Sequence, residues 1–138
     1  VKYYGRYMDD FYLIVENKDY AKYCLDAIYT FVGTLNLKLN GKTQIMPFKN
    51  GVKFCGFHTY VTKDGKVIRK LTNDKKRTAK KRYIKMAKLV KEGKMEKKKF
   101  FESYHAWKNH ISYGNCIKLG YEMDKYVYEI LGDELYEK

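Results

Sequence analysis

Two adjacent carboxylates, Asp9 and Asp10, stand between two runs of strand-forming residues, Tyr3-Tyr4-Gly5-Arg6-Tyr7 and Phe11-Tyr12-Leu13-Ile14-Val15. The economical reading of that pattern is a tight β-hairpin with the carboxylates at its tip. Both cannot be buried in apolar surroundings, because unpaired charge there is very costly. Exposed on a turn, they can hold divalent cations. Hard ions such as Mg2+ favour carboxylates and keep waters and substrate phosphate oxygens as their remaining ligands. Two-metal phosphoryl transfer uses such ions, one activating an attacking 3′-hydroxyl and the other steadying the leaving pyrophosphate. Taken alone, the dipeptide is also what an ordinary Asp-rich turn looks like, since Asp is common in turns for conformational reasons.

The elements that must carry this turn can be read from periodicity. The run 11–15 is apolar on both alternations, so β pairing there calls for cover on both faces. Asn17 to Asp19 offers helix-start chemistry. Ala21, Cys24, Leu25, Ile28, Phe31, Val32 and Leu35 then recur on one face of an amphipathic helix that ends between Gly33 and Asn36. Two strands are expected next, over 43–48 and 52–61, joined by the Asn50-Gly51 turn. Lys63-Asp64-Gly65 leads into a third over 66–71. From Thr72 the pattern turns helical. Asn73 or Asp74 is placed to cap a helix that Gly93 stops, with Ala79, Tyr83, Met86, Ala87 and Val90 on its apolar face. Phe100, Tyr104, Trp107 and Ile111 mark a second helix, and Cys116, Leu119, Met123, Val127 and Ile130 a third. An aromatic stripe at helical spacing reads as core rather than as a base-stacking surface. The expected fold is α+β, with an antiparallel sheet and packed helix over residues 1–71 and a three-helix bundle over 72–138.

Charge sharpens the division. The 138 residues carry a formal net charge of +13. Residues 66–100 hold 16 Lys or Arg and three acidic residues, so that window accounts for the whole excess. Within it, Arg77, Lys81, Lys85 and Lys88 form a cationic stripe on a different face from the apolar one. Like charges at this spacing destabilise a helix slightly when they have no partner, and a localised patch of this kind suits a polyanion. Contact with about six phosphates of B-form DNA implies a salt slope near −5. A solvated helix face is the competing reading of the same lysines.

The sequence around the two aspartates resembles a known family. Tyr7-Met8-Asp9-Asp10 followed by the apolar strand is similar to the catalytic hairpin of reverse transcriptases, the polymerase palm motif Tyr-X-Asp-Asp. Leu35-Asn36-Leu37-Lys38-Leu39-Asn40 with Lys42-Thr43 resembles the next family motif. Phe54-Cys55-Gly56-Phe57 resembles the Phe-Leu-Gly-Phe primer grip, with Cys55 where Leu is usual. The helical remainder, including Ser103-Tyr104, Trp107 and the stretch 110–115, is similar to the thumb of bacterial reverse transcriptases of the group II intron, retron and diversity-generating kinds.

The resemblance implies a palm-like sheet, a helical thumb and RNA-directed DNA polymerase activity on an RNA template and DNA primer, with dNTPs as substrates. It implies Asp9 as a metal-ligating catalytic residue and Asp10 as its less directly engaged neighbour, with two Mg2+ ions, Mn2+ being the alternative. Tyr7 and Met8 fall near the primer end or incoming nucleotide, and Lys42 near the triphosphate, one residue out of register through Gly41. Phe54, Cys55, Gly56 and Phe57 would hold the primer 3′ end. Arg77, Lys81, Lys85 and Lys88 would follow the duplex backbone, which a thumb reads by shape more than by sequence. A glycine at 56 suits a close approach of two backbones, and a β-bulge is the other reading.

Family members also need an aspartate on an earlier palm strand and fingers residues for nucleotide and template. The chain begins at Val1 without an initiator Met, so we expect it to be the C-terminal piece of a longer polymerase, inactive by itself. Two other readings share these features. One is a non-catalytic basic RNA-binding module whose Asp pair is a turn. The other is a different palm polymerase, such as an RNA-dependent RNA polymerase.

The remaining candidates are weaker. His105 and His110 are five apart, out of phase for a helical zinc pair. His58 stands alone on a strand. Cys24 and Cys116 fall on apolar faces as packing residues. Three cysteines without disulfide or zinc spacing point to a reducing, cytoplasmic compartment. No run of 18 apolar residues is present, so no membrane partner is expected.

Overall fold

The computed structural model describes residues 3–132. Val1, on which the expectation of a longer polypeptide rests, lies outside the described residues, as do the last six residues of the expected thumb. The architecture is α+β, with two small antiparallel sheets and four helices. The chain divides into two compact units between Cys55 and Gly56. The sequence placed its boundary at 71–72, where strand gives way to helix. That change of character is indeed there, because β5 ends at Leu71 and α2 starts at Asn73.

The first unit opens with the hairpin. Strands β1 (Tyr3–Tyr7) and β2 (Asp10–Ile14) pair antiparallel, with Tyr7 opposite Asp10 and Gly5 opposite Tyr12. A Cβ on Gly5 would meet the Tyr12 ring at 2.5 Å, so the missing side chain is what lets that ring lie across β1. Helix α1 (Lys18–Thr34) starts where Asn17 accepts a hydrogen bond from the Tyr20 N–H at 2.8 Å. Its inner face is thin. Only Cys24 is buried among the described residues of this unit, and Phe31 and Leu35, expected on the apolar face, are exposed. The expected cover of β2 is likewise not found, as Phe11 and Ile14 are each 37% exposed.

Two strand assignments need correction. Residues 43–48 are not a strand, and a single turn of 3-10 helix, Phe48–Asn50, precedes Gly51 at φ 68°. Pro47 at its start has no N–H for a ladder, which suits a turn better than a strand. The expected continuous strand over 52–61 breaks into β3 (Val52–Phe54) and β4 (Phe57–Val61). Cys55 and Gly56 between them adopt φ 48° and 80°, the paired positive values of a type I′ turn. Gly56 is therefore a turn glycine, and neither a bulge nor mid-strand.

In the second unit β4 pairs antiparallel with β5 (Val67–Leu71), Phe57 opposite Leu71. Helices α2 (Asn73–Lys91), α3 (Lys97–Ser112) and α4 (Ile117–Leu131) bury Ala79, Tyr83, Ala87, Val90, Phe100, Tyr104, Met123, Val127 and Leu131 as one core. The rings meet edge to face, Tyr83 on Phe100 at 5.7 Å and on Tyr104 at 5.4 Å, worth about 0.5–1.5 kcal/mol per pair beyond their burial. The aromatic stripe of α3 is thus core, as its spacing indicates. Lys108 Nζ and the Tyr104 hydroxyl both donate to Asp124 Oδ1 at 2.8 Å, tying α3 to α4. Phe57, Leu71, Ile111 and Cys116 form a second buried cluster.

The N-cap position of α2 is Thr72, in place of the expected Asn73 or Asp74. Its hydroxyl does not cap the helix N–H groups but donates to the Gly56 carbonyl, which also accepts from the Thr72 N–H at 3.0 Å. The Asp74 carboxylate, held below its ordinary value chiefly by the neighbouring Thr72 side chain, sits at the positive end of the helix. No described helix is long and apolar enough to cross a membrane.

Candidate metal centre and basic helix face

The two-residue turn between Tyr7 and Asp10 consists of Met8 and Asp9. Met8 lies in the left-handed region at φ 53°, an uncommon state for a residue with an unbranched side chain, and it is 73% exposed. Arg6 holds the turn in this shape by donating its Nε–H to the Met8 carbonyl at 2.9 Å. Asp9 at the tip, Asp10 at the first position of β2 and Tyr7 at the end of β1 are all exposed. Both carboxylates are therefore open to solvent.

As a donor set, two adjacent carboxylates fit Mg2+ or Mn2+, which are bound through one or two carboxylates while other positions go to water and phosphate. Among the described residues no group of three or more His, Cys, Asp or Glu is positioned to hold a metal ion. The set is thus a partial one, suited to an ion that a further ligand and a phosphate would complete.

The other sequence candidates fall at separate places. Lys42 lies in an exposed turn, where its N–H donates to Asn40 Oδ1 at 2.8 Å, and it pairs with neither Asp9 nor Asp10. Phe54 is half-buried and sets its ring edge against Tyr12 of β2 at 5.0 Å, which links β3 to the aspartate hairpin. Cys55 is half-buried in the turn. Phe57 is 1% exposed, so its ring is a packing group and only its backbone is placed for a ligand. The stem of Lys75 covers Gly56, its Cγ 3.5 Å from where a Cβ would stand.

Arg77, Lys81, Lys85 and Lys88 are all exposed on the side of α2 away from its buried residues. Lys88 pairs with Glu92 at 3.7 Å, and the other three form no ion pair among the described residues. Ile84, 51% exposed, stands in the middle of this cationic face.

Several contributors escape the sequence patterns. Arg6, Tyr12, Thr72 and Asn115 each act through a hydrogen bond or ring contact. The period-two pattern of the hairpin places Arg6 beside the turn, but nothing in it specifies the bond to Met8.

Comparison with known proteins adds no assignment. No protein-family model, curated protein or solved structure matches the chain.

Proposed function

We propose that the chain is palm and thumb of an RNA-directed DNA polymerase of the reverse-transcriptase kind. The observation that carries this reading is the Asp9 turn itself. The sequence Tyr-Met-Asp-Asp lies at a hairpin tip, exposed, with Asp9 at the apex and Asp10 paired to Tyr7. Positive φ at the first turn residue is what a two-residue hairpin requires, and glycine is its usual occupant. A methionine there, its carbonyl bonded to Arg6, is the uncommon feature that supports a turn held for a purpose.

When bound, Mg2+ supplies the Lewis acidity that activates a primer 3′-hydroxyl and stabilises the departing pyrophosphate. Asp9 and Asp10 hold the ion, and Arg6 fixes the turn that carries them. Met8 offers an apolar contact to a sugar. The Cys55–Gly56 turn brings backbone close to the primer end, and the α2 face neutralises duplex phosphates. The reading requires a third carboxylate and a nucleotide pocket besides these residues. The three cysteines, all free, fit a reducing cytoplasm.

A basic RNA-binding module without catalysis is the second reading. The partial donor set favours it, since two carboxylates from one turn leave an ion short of protein ligands. Mn2+ titration separates the two. Paramagnetic broadening confined to amides around residues 7–11, lost in Asp9→Asn, is expected of the polymerase reading. Broadening spread over all exposed carboxylates would sink it. In a polypeptide that supplies the remaining palm and fingers, Asp9→Ala should abolish synthesis and spare duplex binding.

A further inference from the structure

Arg69 stands half-buried on β5, its guanidinium carbon 4.4 Å from the centroid of the buried Phe57 ring. Among the described residues this guanidinium meets no carboxylate and donates no hydrogen bond, whereas Arg6 bonds the Met8 carbonyl and Arg82 the Ser103 hydroxyl. A guanidinium that no protein group occupies keeps its donors for an arriving anion. Stacking on an aromatic face leaves the in-plane N–H fork available.

The rest of the residue is fixed. Arg69 N–H donates to Asn115 Oδ1 at 2.8 Å, and its carbonyl accepts from the Asn115 N–H at 2.7 Å. A Cβ on Gly114 would stand 2.7 Å from the same carbonyl, so the backbones are in close contact. Exposed His110 sets its imidazole 5.2 Å from the same Phe57 ring. Tyr113, 74% exposed, precedes Gly114 and offers a free aromatic face.

The geometry points to a phosphate site at Arg69 that takes one phosphodiester of a nucleic-acid strand outside the α2 face. A rigid, unpaired guanidinium matches phosphate in a bidentate way. The field of the basic window draws a polyanion to this part of the chain. The inference rests on the proposed nucleic-acid partner and adds a contact that the cationic stripe does not contain.

A short RNA–DNA hybrid duplex is the probe, titrated against the chain at several salt concentrations. Arg69→Gln should raise Kd about tenfold and lower the salt slope by about 1. Arg69→Lys, which keeps the charge and loses the fork, should keep the slope and lose part of the affinity. A folded Arg69→Gln variant with wild-type affinity and slope overturns the site. If that variant does not fold, wild-type affinity in Arg69→Lys overturns it. Polyglutamate weakened to the same extent by Arg69→Gln would assign the fork to carboxylates and also overturn it. Loss of hybrid binding on changing Arg77, Lys81, Lys85 and Lys88 to Ala, with none in Arg69→Gln, defeats this inference alone. No hybrid binding by the wild-type chain defeats both readings.

Discussion

Arg69 and Asn115 exchange two hydrogen bonds across 46 residues of sequence, one to the Asn115 side chain and one from its backbone N–H. The pattern is that of a strand pair reduced to a single residue. Beside it the Leu71 N–H reaches Cys116 Sγ at 3.4 Å. The α3–α4 connection is thereby joined to the strand that leads into α2, so β4, β5 and the bundle form one folded piece. Asn115→Ala should destabilise this piece by about 1 kcal/mol, the worth of one partly solvated hydrogen bond. Thermal unfolding checks it, and Asn115→Asp should recover most of the loss, because a carboxylate oxygen accepts the same N–H.

The turn at 55–56 gives a second expectation. Gly56→Ala meets ordinary contact distances to Lys75, so its penalty comes from φ 80° and should be about 1 kcal/mol. Cys55→Asn at φ 48° should be neutral or slightly stabilising, as Asn tolerates that region. Equal penalties at both positions in denaturant melts would exclude the type I′ geometry.

Gly114→Ala should be worse than either. Its Cβ would stand 2.7 Å from the Arg69 carbonyl and 2.9 Å from the Phe57 ring, and a backbone cannot yield as a side chain does. A loss of about 1–3 kcal/mol is expected from such overpacking, visible as a lowered denaturant midpoint.

The Asp124 carboxyl carries a pH prediction. Burial raises it, but the hydrogen bonds from Lys108 and Tyr104 outweigh burial and hold it below its ordinary value. A depressed folded value means that the stabilisation is present above the unfolded carboxyl range. It is lost as pH falls through the folded value. Unfolding midpoints of wild type and Asp124→Asn should therefore differ near neutrality and converge below about pH 4. A constant difference down to strong acid would contradict the linkage.

For the cationic face, replacing Arg77, Lys81, Lys85 and Lys88 with Ala should lower the duplex salt slope by about 3–4, nearly one unit for each phosphate contact removed. The chain by itself should not extend a primer with Mg2+ and all four dNTPs. Extension would show that the two carboxylates of the hairpin suffice.

The helices and the aspartate hairpin are legible in the sequence because each rests on local information. Spacing of Ala79, Tyr83, Ala87 and Val90 sets a face, and the strand-forming runs on either side of Asp9 and Asp10 set a turn. The failures lie where non-local contacts decide. Residues 43–48 are apolar enough for a strand yet have no pairing partner, and Pro47 removes a donor. Gly56 reads as a glycine within one continuous strand because φ is invisible in a sequence. The expected cover of β2 was inferred from hydrophobicity, which states what a strand prefers and not what surrounds it. In the candidate site, the aspartates and lysines announce themselves by type, whereas Arg6 matters through one bond to a carbonyl.

The Asn115 connection also bears on how the molecule behaves at high concentration. β5 would otherwise present its outer N–H and C=O groups as a template for another chain, and residues 114–116 occupy those positions. A protease that clipped the chain beside the exposed Tyr113 would free this plug without cutting any helix. The product should keep its helical content and present the β5 edge to other chains.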